Sequence, residues 1–298
     1  MKKLIQNLSI AAEVRGTDAT GISYVNHEKV VTFKKAKPAH KVKLYFPKNT
    51  RAVIGHTRMT TQGSEKYNYN NHPFDGRCGT ETFALAHNGV LYNDAELKTK
   101  YHLPKTQIET DSYVAVQLLE QEKQLHTESI KKMAGLIEGS FVFTILRNDN
   151  TLFLVKGNNP LTIYHFSKLG IYVYASTKSI LDNALQQVNL SDKCCEIDVS
   201  EGEIVEIAAN GKRSKTTFAM QNSVFSPYNW DNLNWYETEE QEECLLECCR
   251  MFGVSEEDVY LLLDYGFSAD EIEEMLMNPC LLEDALTEIS VLEQEDAE

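Results

Sequence analysis

Hydrophobic and polar positions along this chain follow two spacings, and the points where one gives way to the other mark its elements. Leu4, Leu8, Ala11 and Ala12 share one face at helical spacing, which predicts a helix over residues 3–14 that ends at Arg15-Gly16. Strand-like runs at 21–25 and 30–33 flank Asn26-His27, the pattern of a hairpin. The lysine-rich residues 34–48 suit a short helix and loop. Val53-Ile54 and residues 83–86 read as buried strands separated by the Tyr/Asn-rich stretch 67–71. Asp94 is placed to cap a helix through Lys100, and Thr110-Asp111 to start a longer one over 110–121. A helix over 127–136 precedes strand-like runs at 140–146, 151–155, 161–165 and 171–174, with turn signals at Asn148-Asp149 and Lys168-Leu-Gly170. Residues 179–187 read as helix, and runs at 203–207 and 215–218 flank Asn210-Gly211. Antiparallel strand groups with helices between and after them imply an α+β fold of stacked layers.

Beyond this body, residues 221–238 turn to Asn, Ser, Pro and aromatics and read as a linker, and 239–298 as an acidic helical extension. Within it Ser268 is predicted as an N-cap with Glu271 in capping-box position. The Tyr265-Gly-Phe267 turn resembles that of ubiquitin-associated-type three-helix modules; a helical appendage packed on the main domain is the other reading.

A length of 298 residues fits one large domain or one with a small companion. The net charge of -15 is local: 21 acidic residues and the lone Arg250 follow Tyr236, so the front is mildly basic. That distribution has no dense Lys/Arg stripe and argues against nucleic-acid binding. The seven cysteines lack paired C-x-x-C spacing, so neither zinc nor a disulfide framework is signalled, and Cys244, Cys248 and Cys249 read as small core residues. Gln6, Asn7 and Ser9 interrupt the apolar start, no later run is long enough to cross a membrane, and a soluble cytoplasmic protein is expected.

Candidate chemistry concentrates between residues 51 and 89. A short strand, Arg51-Ala-Val-Ile-Gly55, runs into His56-Thr-Arg-Met-Thr-Thr-Gln-Gly63, then His72-Pro73, then a strand ending in His87-Asn88-Gly89. An arginine offers a fixed fork suited to a carboxylate, although beside a strand it commonly makes a surface ion pair. An Asn amide with a glycine N–H can face an oxyanion, although Asn-Gly commonly makes a turn. With Arg15-Gly-Thr-Asp18-Ala-Thr-Gly21, Glu109-Thr-Asp111 and Gly202-Glu203, these stretches resemble, in order and spacing over about residues 1–210 of a domain placed at 1–220, the glutaminase domain of class II glutamine amidotransferases of the glucosamine-6-phosphate synthase kind.

The resemblance implies a four-layer αββα N-terminal-nucleophile (Ntn) hydrolase sandwich and hydrolysis of the glutamine side-chain amide by a terminal cysteine whose own amine is the base. It implies Arg58 on the glutamine carboxylate, Asp111 on its ammonium, Thr61 and Gln62 in the pocket, and Asn88 with Gly89 as oxyanion hole. Arg15, Asp18, His72 and His87 would support the site; Asp111 reads equally as a helix N-cap. No cofactor and no metal are implied. The sequence opens Met1-Lys2-Lys3, so the family's first strand, beginning Cys-Gly-Ile, and its nucleophile are expected to be missing, through a late-assigned start or a true truncation. Partners would be L-glutamine and a separate ammonia-acceptor synthase or partner protein; the alternative is an inactive glutamine-binding or protein-interaction module on the same fold.

Overall fold

The computed structural model describes residues 2–188, 190, 193–221, 245–246, 249–250, 252–265, 267, 272, 275–276, 281–282, 285–287 and 289. The chain divides into two compact units, Met1–Ser226 and Pro227–Glu298. In the first, α1 (Lys2–Ala11) runs into a 3-10 turn (Ala12–Arg15), and β1 (Ala19–Asn26) and β2 (Lys29–Lys35) form the expected hairpin. Its tight turn is made by His27 and Glu28, both at positive φ. Residues 34–48 begin with the last two residues of β2 and hold one 3-10 turn, Ala39–Lys41, after which Val42, Leu44 and Phe46 alternate inward from an extended chain.

Then come β3 (Val53–Arg58), β4 (Phe74–Cys78), β5 (Glu81–Leu91), α2 (Asp94–Lys100), α3 (Tyr113–Glu120) and α4 (Thr127–Ala134). They are followed by β6 (Gly139–Arg147), β7 (Leu152–Lys156), β8 (Thr162–Phe166), β9 (Ile171–Ala175), α5 (Lys178–Gln186), β10 (Cys194–Ile197), β11 (Glu203–Ile207) and β12 (Arg213–Thr217).

Two three-stranded sheets, β2-β1-β3 and β10-β8-β9, and one six-stranded sheet, β12-β11-β7-β6-β5-β4, carry this unit. Val25 and Ile54 pack on Ala84, Ala86 and Leu146, and Ile163 and Ile197 on Leu154 and Val205, so both small sheets share one face of the large one. Its other face buries Phe83, Leu85, Phe141, Phe143 and Phe153 against α2, α3 and α4. Leu4 and Leu8 of α1 and Leu181 of α5 cover the outer side of β8 and β9. The layers are therefore helix, sheet, sheet, helix, the αββα order that the family resemblance implies.

Several boundaries differ from the sequence reading. β3 continues through His56 and Thr57 to Arg58 instead of ending at Gly55. His87, Asn88 and Gly89 lie inside β5, where register with Phe143, Val142 and Phe141 of β6 overrides the turn preference of Asn-Gly. Cys78 closes β4, a strand for which the sequence reading set out no element. Asn93, not Asp94, is the N-cap residue of α2, and α3 begins at Tyr113 behind Ser112, so Asp111 is not its cap.

In the second unit α6 (Glu256–Asp264) is capped by Ser255, whose hydroxyl accepts from Asp258 N–H at 3.1 Å. Leu245, Cys249, Val259, Leu262, Ile272, Leu276, Ala285 and Ile289 form its apolar cluster. The linker at 222–238, the Ser268–Glu271 capping box, Gly266 of the Tyr-Gly-Phe turn, and Cys244 and Cys248 lie outside the described residues. Among the described residues no helix is long and apolar enough to cross a membrane.

Gly21 shows how tightly β1 seats the loop before β4. A β-carbon there would lie 2.1 Å from the His72 carbonyl oxygen, backbone against backbone. Gly21→Ala is expected to lower the unfolding free energy in urea by about 3 kcal/mol, an overpacking cost without a side chain that can yield. Unchanged stability would contradict that approach of the two chains.

Candidate active site

β3 ends by carrying Arg58 into the interior, where it is 3% exposed. Its guanidinium donates to Asn71 Oδ1 at 2.7 Å, to the Gly63 carbonyl at 3.0 Å and to the Gln62 carbonyl. All three acceptors are uncharged. Burial lowers the Arg58 pKa, and the more distant charges of Asp18, Glu65 and Asp111 oppose that shift. Among the described residues no carboxylate lies within ion-pair distance of Arg58.

Asp111, 5% exposed, sits on the chain leading into α3. Its carboxylate accepts from Leu91 N–H at 2.6 Å, with Ser112 Oγ at 3.2 Å, and it too has no ion-pair partner among the described residues. Gln62 joins the two charges: its backbone carbonyl receives Arg58, and its side-chain oxygen receives the Asp111 N–H at 2.7 Å. Asp18 holds the same loop from below, accepting from Thr60 N–H at 2.8 Å and donating its own N–H to the Arg58 carbonyl at 2.9 Å. Thr61 is exposed on that loop.

A second group surrounds a cavity of about 140 Å³ between β3, β9, α1 and α5. Arg15, His56, His87, Asn88, Pro160 and Tyr174 are among its walls; Arg58 and Asp111 are not. Arg15 reaches Asn88 Oδ1 at 3.5 Å, and burial lowers its pKa. The Asn88 side-chain nitrogen is buried without a hydrogen-bond partner. Burial pushes the Tyr174 hydroxyl pKa up to about 12, opposed by Thr144 and the Gly55 backbone. Among the described residues β3 pairs only with β1, and β9 only with β8, so two strand edges border the cavity. Gly89, at φ 138, is a position only glycine fills: a β-carbon would meet Ser140 O at 1.9 Å.

Three histidines cluster between these groups, tilted or edge-on to one another. The His72 ring lies 4.3 Å from that of His56 and 6.4 Å from that of His87, and neither of its nitrogens has a partner. His56 Nε2 meets the His87 carbonyl at 2.8 Å, and His87 lies between Ser112 Oγ (2.8 Å) and the Ser140 carbonyl (3.2 Å). Among the described residues no group of three or more His, Cys, Asp or Glu could hold a metal ion. Asn71 and Asn159, the latter donating to the Asn88 carbonyl at 2.9 Å, are site neighbours that sequence reasoning passed over. Asn71 adjoins the quoted His72-Pro73 and could have been found there; nothing in the local pattern marks Asn159.

Burial holds all three histidines neutral, with His56 lowered to about 3 and His72 well below its ordinary value; for His87 the nearby Asp111 charge opposes the shift. The unfolded chain takes up these protons below pH about 6.5 and the folded chain does not, so stability falls as pH drops from there toward 3. His56→Gln, which keeps a donor for the His87 carbonyl, is expected to shallow this dependence by about one proton. Denaturant titrations between pH 7 and pH 4.5 read the slope; identical slopes would refute the neutral buried ring.

Residues 56–183 match a family model described as a glutamine amidotransferase domain. Similar curated proteins include glutamine–fructose-6-phosphate aminotransferase (isomerizing) of Bacillus subtilis strain 168, 33% identical over 190 residues that make up 61% of this chain and 31% of that protein. The same-named protein of Helicobacter pylori strain J99 is 28% identical, with 90% of this chain and 45% of that protein covered. The chain thus spans less than half the length of these relatives. Among solved structures, glutamine phosphoribosylpyrophosphate amidotransferase from B. subtilis, complexed with ADP and GMP, matches with a TM-score of 0.60 at 22% identity, covering 74% of this chain and 47% of that one. A second, the allosteric regulatory enzyme of purine biosynthesis, gives 0.56 at 22% identity, covering 73% and 46%. Residues 56–183 are thus similar to a glutamine amidotransferase domain and to part of glutamine–fructose-6-phosphate aminotransferase, and the fold is similar to that of glutamine phosphoribosylpyrophosphate amidotransferase.

Proposed function

We propose that residues 1–220 form a unit that binds L-glutamine and, given a cysteine nucleophile, hydrolyses its side-chain amide to glutamate and ammonia. One observation carries this reading: Arg58 and Asp111 are buried charges of opposite sign, each satisfied only by neutral partners and linked through one loop residue. Leaving a buried charge without a counter-ion is costly, and a zwitterionic amino acid relieves both at once. The α-carboxylate would replace the carbonyls of Gln62 and Gly63 on the guanidinium fork, and the α-ammonium would take up the free acceptor capacity of Asp111. Opening of the loop bearing Thr61 and Gln62 admits the ligand.

In the hydrolysis, a cysteine thiolate adds to the amide carbon and the oxygen takes the negative charge toward Asn88 Nδ2 and Gly89 N–H. Ammonia leaves with a proton, and water then cleaves the thioester to give glutamate and regenerate the thiol. The edges of β3 and β9 beside Asn88 suit an extended segment that carries this cysteine. Ammonia would pass to a separate acceptor synthase or partner protein, for which the acidic helical extension at 239–298 is a candidate docking element.

Calorimetry on the full chain tests the clamp. L-Glutamine is expected to bind, and Arg58→Ala to weaken binding by about 10- to 100-fold, the worth of a charge-assisted pair of hydrogen bonds. Arg58→Lys, which retains the charge in case the alanine variant is unstable, should give a smaller loss. 4-Carbamoylbutanoate, which lacks the α-ammonium, should bind the parent and Asp111→Asn equally. Unchanged glutamine affinity in Arg58→Ala would refute the assignment. Ammonia release from the chain bearing a Cys-led extension, absent when that cysteine is alanine, is expected for the hydrolase; glutamine binding without release would favour a binding module.

A further inference from the structure

β7 ends in Lys156, a lysine only 8% exposed whose ammonium turns back on the residues that follow it. It donates to the carbonyls of Gly157 at 3.0 Å and Asn159 at 2.6 Å. Gly157 N–H donates to the Phe141 carbonyl at 3.0 Å, and Phe141 N–H donates to Asn158 Oδ1 at 3.0 Å. Two bonds thereby fasten the turn at 157–159 to β6, and two from a charged donor tie it back to the end of β7. Held this way, the Asn159 side chain reaches across to β5, where its Nδ2 donates to the Asn88 carbonyl at 2.9 Å. There is no slack at that point, since a β-carbon on Gly89 would lie 2.7 Å from the same nitrogen.

The Asn88 carbonyl and the Gly89 N–H belong to one planar peptide group. A hydrogen bond accepted at its oxygen draws density from its nitrogen, which makes the N–H a stronger donor and fixes the direction in which it points. We infer that Asn159, braced by the Lys156 ammonium, is a positioning residue that aims and polarises the Asn88–Gly89 peptide toward the oxygen of the bound amide. The inference rests on the glutaminase reading given above and adds to it a turn that none of the quoted motifs includes. Asn159 touches neither ligand nor nucleophile in this account; it acts through the peptide it holds.

The test uses the full chain and L-glutamine labelled with carbon-13 at its side-chain carbonyl. In the parent the bound carbonyl resonance is expected to move downfield relative to free glutamine. In Asn159→Ala that displacement should be largely lost while affinity changes by less than about tenfold, as for one neutral hydrogen bond. In the free protein the Gly89 amide nitrogen resonance should move upfield in the same variant. Asn159→Asp keeps the volume and removes the donor, and Lys156→Met removes the brace; both should reproduce the effect and stand in should the alanine variant fail to fold. Where a Cys-led chain turns over, Asn159→Ala should lower kcat by about tenfold and leave KM unchanged, since a misaimed donor costs less than a deleted one. Parent-like resonances for both Gly89 and the bound carbonyl would overturn the inference. A parent that binds no glutamine would sink the functional reading instead, and the Gly89 resonance would still decide whether Asn159 polarises the peptide.

Discussion

A guanidinium in the interior, met only by neutral oxygens, is the constraint around which this domain is arranged. Desolvating such a charge costs several kcal/mol unless its donors are all engaged, and the fold commits two stretches of the chain between β3 and β4 to engaging them. Asn71, in the loop before β4, supplies one acceptor, and the carbonyls of Gln62 and Gly63 supply the others. Those segments are themselves tied down: Asn71 Nδ2 to the Glu65 carbonyl, Asn70 to Glu109, and Thr60 to Asp18. The loop therefore follows the charge, and a ligand carboxylate competes with carbonyl groups that bind a cation less strongly than it does.

The layered architecture supplies the second condition. Because the two small sheets lie side by side on one face of the large one, the edges of β3 and β9 border one cavity, and β5 crosses beneath with Asn88 pointing up. The unpartnered Asn88 nitrogen gives that cavity a donor without an acceptor, in walls that combine Leu8, Ala12, Val142 and Ile180 with the charge of Arg15. A negative oxygen is stabilised far more there than in water, because few dipoles compete and none has to reorganise.

How much of this was legible depended on whether local pattern and tertiary pairing agreed. β6 to β9 and β11 were readable because their runs alternate or are wholly apolar. β4 was missed because Asp75 and Arg77 dilute a five-residue strand and Gly76 leaves room for the Phe83 ring, so the alternation in burial has little apolar signal. β10 was missed because Cys194, Cys195 and Glu196 are all exposed, and only Ile197 reports the sheet. Asn88-Gly89 misled in the other direction: two residues that favour turns are held extended by nine register pairs with β6. The clamp residues came from ordered motifs in a resembled family, whereas Asn159 depends on a contact 71 residues apart that no local period encodes.

Proton bookkeeping links the histidine cluster to Asp111. The Ser140 oxygen can only accept, so a neutral His87 carries its hydrogen on Nε2 and presents a lone pair at Nδ1. Burial favours that neutral form. The single hydroxyl hydrogen of Ser112, 2.8 Å away, then goes to His87 and is not available to Asp111, although the two oxygens lie 3.2 Å apart. Asp111 is left with one strong donor, the Leu91 N–H, against a carboxylate that accepts several. By claiming the serine proton, the buried imidazole keeps Asp111 under-satisfied, which is the condition that the proposed contact with an ammonium group requires.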